Sequence, residues 1–244
     1  MELTTRFSRL ADEQGFVVVY PNARMRLWNG DPTDEPAGGP AAPDDARFIE
    51  VLIDALLEEY AIDASRVYVC GASNGALMAQ RLACSLTDRF AAAASVMTTL
   101  PADWDRFCVP AGPIPMLLLH GLDDPFFPSE GGLVHGGPLT ANEYGSIADM
   151  VAFWVSNNGA LSPPATENLP DADPDDGTTV WRETYAAGAD GAEVVFYGID
   201  GGGHTWPGSV PAMEPLLGAT SQDIDASRVI WDFFAQHANH AKHR

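Results

Sequence analysis

Lysine is nearly missing from this chain. Lys242 is the only one, so the 13 basic residues are almost all arginine, set against 34 Asp and Glu. The formal charge is −21 and the isoelectric point about 4.3. A surface so short of positive charge excludes nucleic acid and anionic membranes as partners. Such acidity fits a secreted protein and a salt-adapted one equally. No apolar run approaches the ~20 residues of a membrane-spanning helix. Met1 to Arg6 lack the basic start and apolar stretch of a signal peptide. There is no internal repeat and no linker. The 244 residues, 46% of them hydrophobic, are therefore expected to form one α/β domain over 1–244. There are three cysteines. Cys70 reads as a small buried hydrophobe. Cys84 and Cys108 could form a disulfide, which would need an oxidising compartment, or remain two thiols.

Against these absences stands Arg66-Val-Tyr-Val-Cys-Gly-Ala-Ser-Asn-Gly-Ala-Leu-Met78. Val67–Cys70 is apolar and rich in β-branched residues, as in a buried strand, and 76–83 reads as a helix. Between them Gly71-Ala-Ser73-Asn-Gly75 matches Gly-x-Ser-x-Gly. A strand turning abruptly into a helix strains its turn residue, and glycine neighbours relieve the crowding. The serine hydroxyl is then presented above the sheet edge, where the N–H groups of the new helix also converge.

In chain order, 3–14 reads as the later part of a helix ended by Gly15, and Phe16–Tyr20 as a buried strand closed by Pro21. Residues 22–43 form a long loop carrying Trp28, placed at the rim of a site. Residues 44–60 read as an amphipathic helix with Phe48, Val51, Leu52, Ala55 and Leu56 inward. Further strands are expected at 90–97, 115–120, 178–185 and 193–199, and helices at 141–157 and 222–237. Loops are expected at 121–137, 162–177 and 201–219. Alternating strands and helices predict a mostly parallel sheet with helices on both faces.

A serine nucleophile needs a base, and the base needs an orienting carboxylate. Of six histidines, His237, His240 and His243 lie in a polar tail. His135 sits in a Gly-rich loop. His120 ends a strand and reads as structural. His204 follows the last strand in Gly201-Gly-Gly-His-Thr-Trp-Pro-Gly208, where Trp206-Pro207 can fix the loop. Loops beyond the C-terminal ends of parallel strands share one crevice, so His204 is expected to meet Ser73. Asp123 and Asp124 follow the strand between them. The order Ser73, Asp124, His204 is that of an α/β-hydrolase triad, although spacing barely separates the two aspartates. Asp171-Ala-Asp-Pro-Asp-Asp-Gly177 has the composition of a calcium loop. Its glycine falls one place late and no glutamate occupies the twelfth position, so it reads as a solvated loop. No metal and no cofactor is called for.

These residues resemble a family. Ile62 to Gly75, Arg81-Leu-Ala-Cys84, Asp88-Arg-Phe-Ala-Ala92, His120-Gly-x-x-Asp124 and Gly203-His-Thr-Trp-Pro-Gly208 are similar to the polyhydroxybutyrate-depolymerase and feruloyl-esterase group of secreted α/β hydrolases. The likeness runs from about Gly15 to Trp231. It implies the α/β-hydrolase fold, Ser73 as nucleophile, Asp124 as carboxylate, His204 as base and a Cys84–Cys108 disulfide. Asn74 N–H would be one oxyanion donor, and Trp28, Phe126 and Trp206 would line the substrate site. Ala76 and Leu77 depart from the family pattern, touching helix packing more than chemistry. Relative to the family the chain looks truncated at its N-terminus. Strands and a His-Gly-type loop giving a second oxyanion donor would precede the helix in which it begins.

The function implied is a serine esterase acting on short acyl, aryl or polyester-type carboxylic esters. A non-catalytic ligand-binding member of the fold and a serine peptidase are the alternatives. Turnover of a p-nitrophenyl ester separates the first two, and a peptide substrate the third.

Overall fold

The computed structural model describes residues 1–30, 43–137 and 140–239. Two helices open it, α1 (Glu2–Thr5) and α2 (Phe7–Gln14), divided at Arg6, whose φ is 53°. Then come α3 (Asp45–Glu59), β1 (Tyr68–Ala72), α4 (Asn74–Ser85), β2 (Ala92–Val96) and β3 (Met116–Gly121). A hairpin of β4 (Gly132–Gly137) and β5 (Thr140–Tyr144) precedes α5 (Ile147–Asn157). The chain continues through β6 (Ala165–Asn168), β7 (Thr179–Tyr185), β8 (Val194–Asp200), α6 (Glu214–Leu217) and α7 (Ala226–Phe234).

The main sheet has the order β1-β2-β3-β8-β7-β6. β1, β2, β3 and β8 run parallel, and β7 and β6 complete the sheet antiparallel. Buried-on-both-faces runs such as Met116–Leu119 suit the parallel part. On one face Leu77, Leu82, Met150 and Trp154 of α4 and α5 pack on Met116, Leu118 and Phe196. On the other, Phe7 and Leu10 of α2 and Ile230 and Phe233 of α7 pack on Leu117, Leu119 and Tyr197. This is the mixed, mostly parallel sheet of an α/β-hydrolase.

Several local expectations are corrected. Phe16–Tyr20 is not a strand. It pairs with nothing in the sheet, because β1 hydrogen-bonds only β2 and forms the edge among the described residues. Its burial alternates: Val17 and Val19 are exposed, while the Phe16 ring stacks on Trp231. On α3 the buried stripe is Ile49 and Ile53, whereas Phe48 and Val51 point outward. Residues 140–144 are a strand rather than the start of a helix. The helix begins only at the capping box, where Ser146 Oγ accepts from Asp149 N–H and the Asp149 carboxylate accepts from Ser146 N–H. The loops expected at 121–137, 162–177 and 201–219 hold β4, β6 and the short α6.

Cys84 and Cys108 are joined, with Cα atoms 5.4 Å apart and a sequence separation of 24. Closing a loop of that size stabilises by about 3 kcal/mol in the chain-entropy description. Reduction under native conditions should lower the melting temperature by roughly 10 °C; an unchanged melt after verified reduction would contradict that. Cys70 lies on the edge strand and keeps part of its surface, yet burial pushes its thiol up to about 12.

Candidate active site

Ser73 stands between the end of β1 and the start of α4 at φ 55°, ψ −123°. This strained turn points its hydroxyl away from the helix it would otherwise cap. A Cβ added at Gly71 would run into the Gly75 carbonyl, so strand and helix pass too closely there for any side chain. At Gly75 an added Cβ would meet only Trp28 Cδ1, at 4.0 Å. The crowding is therefore relieved by the first glycine of the motif rather than by both.

His204 leaves β8 through Gly201–Gly203. Its own N–H donates to Leu217 O at 2.6 Å, and Thr205 Oγ1 donates to Ala219 O at 3.0 Å, which anchors the loop on the segment around α6. The imidazole Nε2 lies 3.0 Å from Ser73 Oγ, and Nδ1 lies 2.7 Å from Asp124 Oδ2. Asp124 is 3% exposed, and its Oδ1 accepts the Phe126 and Phe127 N–H groups at 2.8 and 3.0 Å. An ionised carboxylate only accepts, so Nδ1 carries the proton and Nε2 is left to accept from the serine hydroxyl. Asp123, the preceding residue, is exposed. The rings of Phe126 and Phe127 flank the imidazole, with centroids 5.0 and 5.9 Å away.

The other candidates scatter. Phe126 is 40% exposed, with its ring beside His204. Trp28 is half-buried beside the Ser73 turn and stacks on Phe48. Trp206 does not line the site. It is 3% exposed, packs on Phe7 and donates its indole N–H to Ser227 Oγ, so it braces the His204 loop from the core. His120 is buried with Nε2 2.9 Å from Phe127 O, and burial pushes its pKa below the ordinary imidazole value. His135 lies on β4. His237 meets Glu193 at 3.1 Å, while His240 and His243 lie outside the described residues, as does most of the long loop after Trp28. In the acidic loop, Asp176 takes N–H bonds from Thr178 and Gln222, so its carboxylate serves the backbone.

One contact was not legible from the motifs. The Asn74 side chain grips both backbone groups of Trp28: Oδ1 accepts the Trp28 N–H at 2.7 Å and Nδ2 donates to Trp28 O at 2.9 Å. The next residue is held as well. Asn29 N–H donates to Asp45 Oδ2 at 2.8 Å, and Arg81 Nη1 donates to Asn29 O at 2.5 Å.

Known proteins are similar to this chain in sequence. The family model Esterase PHB depolymerase matches residues 1–100. NocK of Nocardia uniformis subsp. tsuyamanensis, named as an esterase, is 33% identical over 243 residues, covering 96% of this chain and 69% of NocK. The chain belongs to the PHB depolymerase esterase family. Membership places it among the carboxylic ester hydrolases. Feruloyl esterase B of Piromyces equi is 30% identical over 213 residues, which is 83% of this chain and 36% of that protein. The chain thus spans about a third of that larger relative. An acetyl xylan esterase structure from Aspergillus awamori superimposes with a TM-score of 0.58 at 19% identity, covering 95% of this chain and 82% of that one. At that identity the match speaks for the fold, which this member of the PHB depolymerase esterase family shares.

Proposed function

We propose that the protein is a serine esterase in which Ser73 is the nucleophile, His204 the base and Asp124 the orienting carboxylate. The observation that carries this is the unbroken run of hydrogen bonds from Ser73 Oγ through both nitrogens of His204 to Asp124. Ser73 Oγ attacks the ester carbonyl while Nε2 takes its proton. The oxyanion forms beside the Asn74 N–H at the start of α4. The imidazolium, held against Asp124, then protonates the departing alcohol, leaving an acyl-serine. Water attacks that ester with the same proton traffic in reverse and frees the acid. No cofactor or metal enters these steps.

The exposed ring of Phe126 and the indole of Trp28 beside the triad support substrates with an apolar or planar group next to the ester. The relatives' names make acetylated and feruloylated polysaccharides the first substrates to try, with aliphatic polyesters after them. The disulfide supports work outside the cell. Turnover of p-nitrophenyl acetate, methyl ferulate and a chromogenic peptide decides among the activities. Hydrolysis of neither ester, with the protein folded, would leave a ligand-binding protein; cleavage of the peptide alone would make it a peptidase.

A base must be neutral to accept the serine proton. Ester turnover should therefore fall as the pH drops from about 8 to about 5, through the range in which imidazoles titrate. A flat profile over that range would argue against His204.

A further inference from the structure

We propose that the Asn74 side chain is the positioning residue of the nucleophile turn, holding the 73–74 peptide so that its N–H meets the oxyanion. The proposal rests on the serine-esterase assignment of Ser73. An α-helix normally has its first turn steadied by the side chain of the residue that caps it. Here that residue is Ser73, and its hydroxyl faces His204, so no side chain caps α4. The first N–H groups of α4, on Asn74 and Gly75, have no carbonyl within the helix to bind. They are free for charge that develops at Ser73, while the other end of the 73–74 peptide, Ser73 O, accepts from the Ala76 and Leu77 N–H groups at 2.9 and 3.1 Å. Ser73, a non-glycine residue at φ 55°, adds strain at the same point.

The two-way bond between the Asn74 amide and the Trp28 backbone adds a second restraint, from the side and from outside the helix. It spans 46 positions of sequence, and its far end is itself pinned. Asp45 of α3 and Arg81 of α4 hold Asn29. Gly30 lies so close to α4 that an added Cβ would come within 2.8 Å of Met78 N. The turn is thereby referenced to two helices. Both backbone groups of Trp28 are spent on Asn74, so the Trp28 N–H steadies the proposed oxyanion donor and is not itself one. With Asn74 N–H carrying the charge, a small tilt of the 73–74 peptide is felt in the transition state far more than in substrate binding.

The test is Asn74→Ala, which keeps the backbone N–H and removes the grip. The expected result is a fall in kcat of about 10- to 100-fold, short of or at the low end of the loss seen when an oxyanion donor is deleted. KM should stay within about threefold, since the loss is confined to the transition state. Affinity for a boronic acid that mimics the tetrahedral intermediate should weaken in parallel with kcat. Complete, slower fluorophosphonate labelling should show that Ser73 itself is intact. Asn74→Asp retains the acceptor for the Trp28 N–H and provides the same readout if the alanine protein does not fold. A raised KM with unchanged kcat, or undiminished boronic acid affinity, would overturn the positioning role. A wild-type protein that takes no label would instead overturn the esterase assignment, and this inference with it.

Discussion

Replacing Ser73 with alanine should abolish fluorophosphonate labelling and lower ester turnover by about 10⁶-fold, the loss seen when a serine hydrolase is stripped of its nucleophile. His204 and Asp124 would remain bonded to each other, so the base would be intact with nothing to activate. The change removes one hydrogen bond, from Ser73 Oγ to His204, and leaves Gly71 to make the close strand–helix crossing. Stability should therefore move by no more than about 1 kcal/mol, and a thermal melt distinguishes loss of chemistry from loss of fold. Labelling that persists in the alanine protein would place the reactive serine elsewhere.

Asp124→Asn should cost about 10⁴-fold in kcat. The two backbone N–H groups of Phe126 and Phe127 need an acceptor, so an asparagine would turn its carbonyl oxygen to them. Its NH₂ would then face His204 Nδ1, where the carboxylate oxygen now lies at 2.7 Å. Nδ1 would have to accept, the proton would move to Nε2, and the imidazole could no longer take one from the serine. The imidazolium would also lose its buried counter-charge. Asp123→Asn, at an exposed position, should change kcat by no more than about threefold, as surface substitutions usually do little. The reverse ranking would reassign the carboxylate.

Much of the framework could be read because it depends on local pattern. Buried parallel strands such as Met116–Leu119 are apolar on both faces, and Gly71 marks a crossing that tolerates no side chain. The placement of His204 opposite Ser73 follows from strand direction, since β1, β3 and β8 are parallel and their following loops share one end of the sheet. What escaped depends on partners distant in sequence. Phe16–Tyr20 has the composition of a strand, but a strand needs a neighbour, and composition does not say whether one is there. Reading 141–157 as one helix overlooks Ser146 and Asp149, which spell the cap that starts it later. The inward face of α3 could be either of two overlapping stripes until α4 selected Ile49 and Ile53. Trp206 is expected both to fix the His204 loop and to line the substrate site; its side chain turns into the core, which serves the first and not the second. The Asn74 grip on Trp28 is a side chain meeting a backbone, and no spacing rule encodes it.

The sheet order has a consequence for how the molecule comes apart. Asp124 and His204 follow neighbouring strands inside the sheet, β3 and β8, whereas Ser73 follows β1, the edge strand among the described residues. Edge elements exchange amide protons and open at lower free energy than the centre. The proposed triad would thus be split between a slower-opening unit that holds His204 and Asp124 and a faster-opening one that carries Ser73. Warming or mild denaturant should first take away the alignment of Ser73 with the His204 imidazole. Inactivation should run ahead of the cooperative unfolding of the sheet, leaving a protein that is still mostly native and already silent.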